Sequence, residues 1–149
     1  MKKLLVIGLV SSFFSAGAFA AACSGDGTLA AAVAAPSSST GPTGELCACN
    51  GGVANKTLIN GGPGVPVNTP VFVRTGFAVQ CSANTIVSFN EVSGVAFAVA
   101  SGSRKGNKTF KGSSAGGGIA ESTVTCATTG CTGANVTSAN ALATTDSSS

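Results

Sequence analysis

In Val71-Phe72-Val73-Arg74-Thr75-Gly76-Phe77-Ala78-Val79-Gln80-Cys81, the residues Val71, Val73, Thr75, Phe77, Val79 and Cys81 fall on one side of an extended chain. Phe72, Arg74, Gly76, Ala78 and Gln80 take the other side. Successive side chains of a strand point to opposite faces, so this spacing predicts a half-buried strand. Ser82-Ala83-Asn84 supplies turn residues. Alternation resumes over Thr85 to Val92, where Val87 and Phe89 oppose Ser88 and Asn90, and Ser93-Gly94 interrupts it. Val95, Phe97 and Val99 then alternate with Ala96, Ala98 and Ala100. Both faces of that segment are apolar, the pattern of a central strand covered on each side.

Toward the carboxyl end, Ser103-Arg104-Lys105-Gly106-Asn107 reads as a polar hairpin tip, with Lys108 to Lys111 returning around Phe110. Residues 112–118 read as a loop, and Ile119 to Cys126 as a last strand with Ala120, Ser122, Val124 and Cys126 on one face. Beyond Thr132 only Val136 and Leu142 offer bulk to bury, which predicts a disordered tail over 132–149. Toward the amino end, glycine and proline fragment the chain: Gly51-Gly52, Gly61-Gly62-Pro63-Gly64 and Pro66 leave only Lys56 to Ile59 as a short strand. Thr28 to Ala35 has the length of two helical turns before Pro36, and residues 36–44 form a linker by composition.

These segments predict an all-β fold: a small antiparallel sandwich or barrel-like sheet stapled by disulfides, with an irregular N-terminal segment and a flexible C-terminal tail. The expected organisation is a signal peptide over 1–20, a Gly/Pro/Ala-rich irregular segment over 21–70, a β core domain over 71–131 and the tail over 132–149. A chain of 149 residues suits one such core.

Residues 1–20 have the three parts of an export signal. Lys2 and Lys3 are followed by the apolar run Leu4 to Val10 with Phe13-Phe14, and Ala18-Phe19-Ala20 is a small-residue cleavage site. Cleavage near Ala20 predicts a secreted or cell-surface protein, with the periplasm as the other destination. A lipoprotein modified at Cys23 is the rival, but Ala20-Ala21-Ala22 lacks the Leu expected three positions ahead of the cysteine. Without Lys2 and Lys3, six basic residues face five acidic ones, a net charge of +1 against +3 for the whole chain. No later apolar run approaches the ~20 residues of a membrane-spanning helix. Such a balance gives no electrostatic steering toward nucleic acid, and none is expected as a partner.

All six cysteines (Cys23, Cys47, Cys49, Cys81, Cys126 and Cys131) follow the cleavage site, and an even number in an exported chain predicts disulfides. Cys47 and Cys49 are too close to bridge each other comfortably, so each is expected to reach a distant partner. Cys81 and Cys126 each end a strand, which favours a Cys81–Cys126 bridge; a small Cys126–Cys131 loop is the alternative. A thiolate metal site on Cys47 and Cys49 lacks both a second close pair and any histidine. No metal and no cofactor are expected.

The chain contains no His, Trp or Tyr. That removes every histidine-based nucleophile and imidazole base. It also leaves Phe as the only aromatic platform. Gly102 to Thr109 comes within one residue of a phosphate-binding loop, but Asn107 replaces the glycine whose backbone must curl round phosphate. Glu91 and Glu121 are the only acids of the strand region, and their spacing does not bring them together as a hydrolytic pair would require. No Ser-x-x-Lys occurs after the leader. The sequons at Asn55, Asn107 and Asn135 matter only in a host that N-glycosylates, and the Lys-Lys leader looks bacterial.

Arg104, Lys105, Lys108 and Lys111 form the one concentration of charge, a candidate anion-binding tip; the alternative reading is a charged loop that protects an edge strand. The expectation is therefore a non-catalytic structural or interaction protein, a filament or coat subunit or adhesin-like module. Self-association or a cell-surface partner is expected. A monomeric envelope- or glycan-binding module using the basic tip is the second reading.

Overall fold

The computed structural model describes residues 23–25, 45–52, 54–59, 72, 77–92 and 96–147. The leader, the helical reading of 28–35, and the parts of the expected strands at 71, 73–76 and 95 lie outside them. Seven strands and one helix follow in order: β1 Leu46–Asn50, β2 Asn55–Ile59, β3 Phe77–Cys81, β4 Thr85–Val92, β5 Ala96–Ser103, β6 Lys108–Ser113, β7 Ala120–Thr125 and α1 Gly133–Ser147. Among the described residues, most of the regular structure is strand in antiparallel sheets. One sheet has five strands in the order β1-β4-β5-β6-β7; the other is a ribbon of β2 and β3.

The alternation of β4 and β5 sets the two faces of the larger sheet. Ile86, Ser88, Ala98 and Ala100 are buried on the side that carries α1, with Gly102 in the same row. β5 is the middle strand, as its two apolar faces predict. Its small residues let the helix approach closely: a Cβ on Gly102 would sit 3.1 Å from both Cys131 Cβ and Val136 Cγ2. Asn84, with φ of 68°, closes the turn from β3 into β4, a left-handed position that asparagine tolerates.

The expectation of a disordered tail over 132–149 is corrected by α1. The helix buries Val136, Ala139, Asn140 and Ala143, a helical i, i+3, i+4, i+7 stripe. Small residues and polar contacts carry its packing: Asn140 Nδ2 donates to Ser88 Oγ at 3.1 Å and Asn90 Nδ2 to Thr144 Oγ1 at 3.4 Å. Its start is a reciprocal cap. Thr132 N–H donates to Asn135 Oδ1 at 3.0 Å, and Asn135 N–H returns to Thr132 Oγ1 at 3.4 Å.

All six cysteines are paired, as Cys23–Cys47, Cys49–Cys81 and Cys126–Cys131. The expected Cys81–Cys126 bridge is thereby overturned, and the small loop ending at Cys131 is present. The reason lies in β1. Pairing with β4 runs Leu46 opposite Phe89 and Cys47 opposite Ser88, then shifts so that Cys49 faces Val87. Ala48 is the extra residue of a β-bulge. In a regular strand Cys47 and Cys49 would share a face. The bulge turns them apart: Cys47 joins the helix-side cluster with Cys23, Ile86 and Val136, while Cys49 joins Leu46, Phe89 and Cys81 opposite. β3 therefore lies in a ribbon tied over β1, away from Cys126. The irregular reading of 21–70 is also corrected over Leu46–Asn50, an edge strand fastened by sulfur on both sides. Neither the boundary drawn at 71 nor that at 131 limits the packed unit, since Cys23 and α1 both belong to the helix-side core.

Candidate functional site

The hairpin between β5 and β6 carries the four cations singled out in the sequence, and the structure separates them. Arg104 lies across Gly51, whose φ is +73°; a Cβ there would stand 2.5 Å from Arg104 Cδ. Its Nη1 donates to the Gly51 carbonyl at 3.0 Å. Lys108 pairs with Glu121 on the neighbouring strand, on the face away from the helix. Lys111 points to the opposite face and holds Asp146 at 2.6 Å. Asp146 sits in the last turn of α1, where a carboxylate opposes the helix dipole, so Lys111 supplies the cation that this helix end needs. Lys105 is exposed in the turn. Three of the four side chains are thus held by partners within the fold.

The tip is buttressed by the Cys126–Cys131 loop. Cys131 N–H donates to the Ser103 carbonyl at 2.9 Å and Cys126 N–H to the Asn107 carbonyl at 3.1 Å. Gly130, with φ of +123°, lies against the Arg104 carbonyl so closely that a Cβ would overlap it. The bridge thereby braces the hairpin from which Lys108 and Phe110 project.

The registers assemble the face away from the helix. Thr85 stands opposite Ser103, Val87 opposite Ser101, Ser101 opposite Phe110, and Phe110 opposite Glu121. Part of this face, toward β1, packs Leu46, Phe89 and Cys49 beneath the β2–β3 ribbon. The part toward β6 and β7 leaves Phe110 41% exposed and Ile119 75% exposed. Between β4, β5 and the hairpin runs an open groove of about 440 Å³, lined by Thr85, Ser101, Ser103, Asn107, Lys108 and Phe110. A smaller hollow of about 220 Å³ lies farther along β5, walled by Phe97, Val99 and Ile119 over Gly112.

The acids do not form a catalytic pair. Glu91 aligns with Phe97, whereas Glu121 aligns through Phe110 with Ser101, four residues farther along β5. Strand spacing puts them roughly 20 Å apart. Opposed glycosidase carboxylates stand about 5–9.5 Å apart. Cys47 and Cys49 are both in bridges, so neither presents a thiolate. Among the described residues no three metal-ligating side chains cluster, and no helix is long and apolar enough to cross a membrane.

The groove was not read from the sequence. Ser101 and Ser103 look like the polar end of a strand running into a tip, and only the register of three strands aligns them with Thr85 and Phe110. Period-two extrapolation through the hairpin is the signal that places Ser101, Ser103, Lys108 and Phe110 on one face. No protein-family model, curated protein or solved structure matches the chain.

Proposed function

We propose that this chain is an exported, non-catalytic structural or interaction protein of the bacterial cell surface, a coat or filament subunit or adhesin-like module. The observation that carries the reading is the open part of the larger sheet, where Phe110 and Ile119 stand exposed on a face braced by disulfides. Most apolar side chains on a sheet face are covered by another layer, and an uncovered stretch beside a rigid framework is a contact surface. The three bridges support an oxidising destination, in keeping with a leader removed near Ala20.

Both edges of the larger sheet argue for contact through this face over strand addition. The pairing of β1 with β4 shifts at Ala48, and that of β6 with β7 shifts between Lys108 and Phe110. Bulged edges are poor templates for another strand. Residues 133–147 are committed to α1 and are not a free donor segment.

Native envelope fractions, tested by immunoblot, size-exclusion with light scattering and negative-stain microscopy, are expected to contain the leader-less, fully oxidised protein in assemblies or bound to the cell surface. A cytosolic protein that keeps its leader and six free thiols would overturn the proposal. Discrete, unattached monomers in the medium at every concentration would overturn its subunit and adhesin forms.

A further inference from the structure

The groove at the hairpin end of the open face has its own chemistry, which holds whether or not copies of the chain assemble. We propose that it is a binding site for a neutral saccharide, one or two hexopyranose units of a glycan, with Phe110 as the stacking platform. A single exposed Phe is ordinary on a protein surface. What distinguishes Phe110 is its surroundings, because the groove it borders is lined by Thr85, Ser101, Ser103, Asn107 and Lys108. These side chains offer hydroxyl, amide and ammonium groups, which match the dense alternation of donors and acceptors round a sugar ring. Adjacent strands are about 4.8 Å apart and alternate residues about 6.8 Å apart, which spreads these groups over the width of one pyranose. The volume of about 440 Å³ falls within the ~300–1,000 Å³ typical of small-ligand sites.

Charge selects the neutral class. The one cation lining the groove, Lys108, is paired with Glu121, so donor and acceptor sit side by side with no net charge. With the Lys108 charge compensated by Glu121, the lining offers an anion no unpaired cation, whereas neutral sugar hydroxyls can pair with its Ser, Thr and Asn side chains. Lys111 faces the helix side and is paired with Asp146, and Arg104 is turned onto the Gly51 carbonyl, so neither side chain lines the groove. Preorganisation supports the same assignment. The hairpin carrying Ser103, Asn107 and Lys108 is tied to the Cys126–Cys131 loop through the Ser103 and Asn107 carbonyls, so little ordering cost remains on binding. Sugar hydroxyls can take over the hydrogen bonds that exposed hydroxyl and amide groups otherwise make to solvent.

The test is a ¹⁵N–¹H NMR titration of the oxidised protein with cello-, malto- and chito-oligosaccharides and, separately, with inorganic sulfate and dextran sulfate at matched ionic strength. At least one neutral oligosaccharide, taken past about 10 mM to saturate a millimolar site, should shift the amides of Ser101, Ser103, Asn107 and Phe110. Phe110→Ala should weaken that binding about tenfold with an unchanged spectrum elsewhere. Asn107→Ala, in an exposed turn whose backbone bond is retained, serves as the second variant and should also weaken binding. Lys105→Ala should leave it unaltered. The proposal is overturned if no neutral oligosaccharide gives saturable shifts. It is equally overturned if sulfate or dextran sulfate binds as well, if the shifts map to Phe97 and Ile119, or if Phe110→Ala and Asn107→Ala both bind like the parent.

Discussion

Removing the Cys49–Cys81 bridge by a Cys49→Ala/Cys81→Ala double substitution tests how the two sheets are held together. The bridge closes a separation of 32 residues. Chain-entropy reasoning assigns such a loop about 3.7 kcal/mol at 25 °C, against about 3.4 for Cys23–Cys47 and about 2.1 for Cys126–Cys131. Those last two bridges close 24 and 5 residues. A loss of about 3.7 kcal/mol is a large share of the 5–15 kcal/mol that stabilises an ordinary domain. It should lower the melting temperature by about 10–15 °C. Urea unfolding followed by circular dichroism, with each bridge removed in turn, measures the three costs. The expected order is Cys49–Cys81 first, Cys23–Cys47 close behind and Cys126–Cys131 last. The ribbon should also lose hydrogen-exchange protection before β5 does, because Cys49–Cys81 is the cross-link that holds it against β1 of the larger sheet. A cost below about 1 kcal/mol for Cys49–Cys81, outside the usual 2–4 kcal/mol range, or a larger cost for Cys126–Cys131, would refute the reasoning.

Three further outcomes follow from the helix side and from the bulge. Thr132→Ala removes the cap of α1 and should cost about 1 kcal/mol, read as a lower urea midpoint with a loss of helical circular dichroism. Asn140→Ala removes the amide that donates to Ser88 Oγ at 3.1 Å and opens space in the buried interface; about 1–3 kcal/mol of stability should be lost, whereas Asn140→Ala combined with Ser88→Ala should recover part of it in a double-mutant cycle. Deleting Ala48 restores one-to-one pairing with β4 while keeping Cys47 and Cys49 on opposite faces. Peptide mapping of the unreduced variant should therefore still find Cys23–Cys47 and Cys49–Cys81, and mixed pairing would contradict the register.

The strands that alternate large and small side chains were legible in the sequence. β4, β5 and β7 lie where the period-two pattern predicts them and β6 where the hairpin return was expected, with the turn at Ser82 to Asn84 and the hairpin tip at 103–107 in place. The helix was not legible, although its spacing is present. Val136, Ala139, Asn140 and Ala143 have helical periodicity, but alanine and asparagine give little contrast with the Ser, Thr and Ala around them. Packing on Ala98, Ala100 and Gly102 needs small residues more than greasy ones, so hydrophobicity was the wrong measure there. β1 was missed for a related reason: Leu46-Cys47-Ala48-Cys49-Asn50 has no alternation because a bulge interrupts it. The basic tip was seen as a cluster in sequence, but Lys108 and Lys111 lie on opposite faces with different acids. No composition argument shows that Glu121 and Asp146, distant along the chain, neutralise them.

The bulge in β1 also bears on how the protein acquires its cross-links. Cys47 and Cys49 are separated by one alanine, and a chain that oxidises before β1 has joined β4 has nothing to tell one thiol from the other. Exchanging their partners would give an isomer with the same mass and the same number of bonds, but with each sulfur drawn toward the wrong side of the sheet. Native pairing therefore depends on strand docking running ahead of oxidation, or on an isomerase that reopens the swapped form until β1 has found its place.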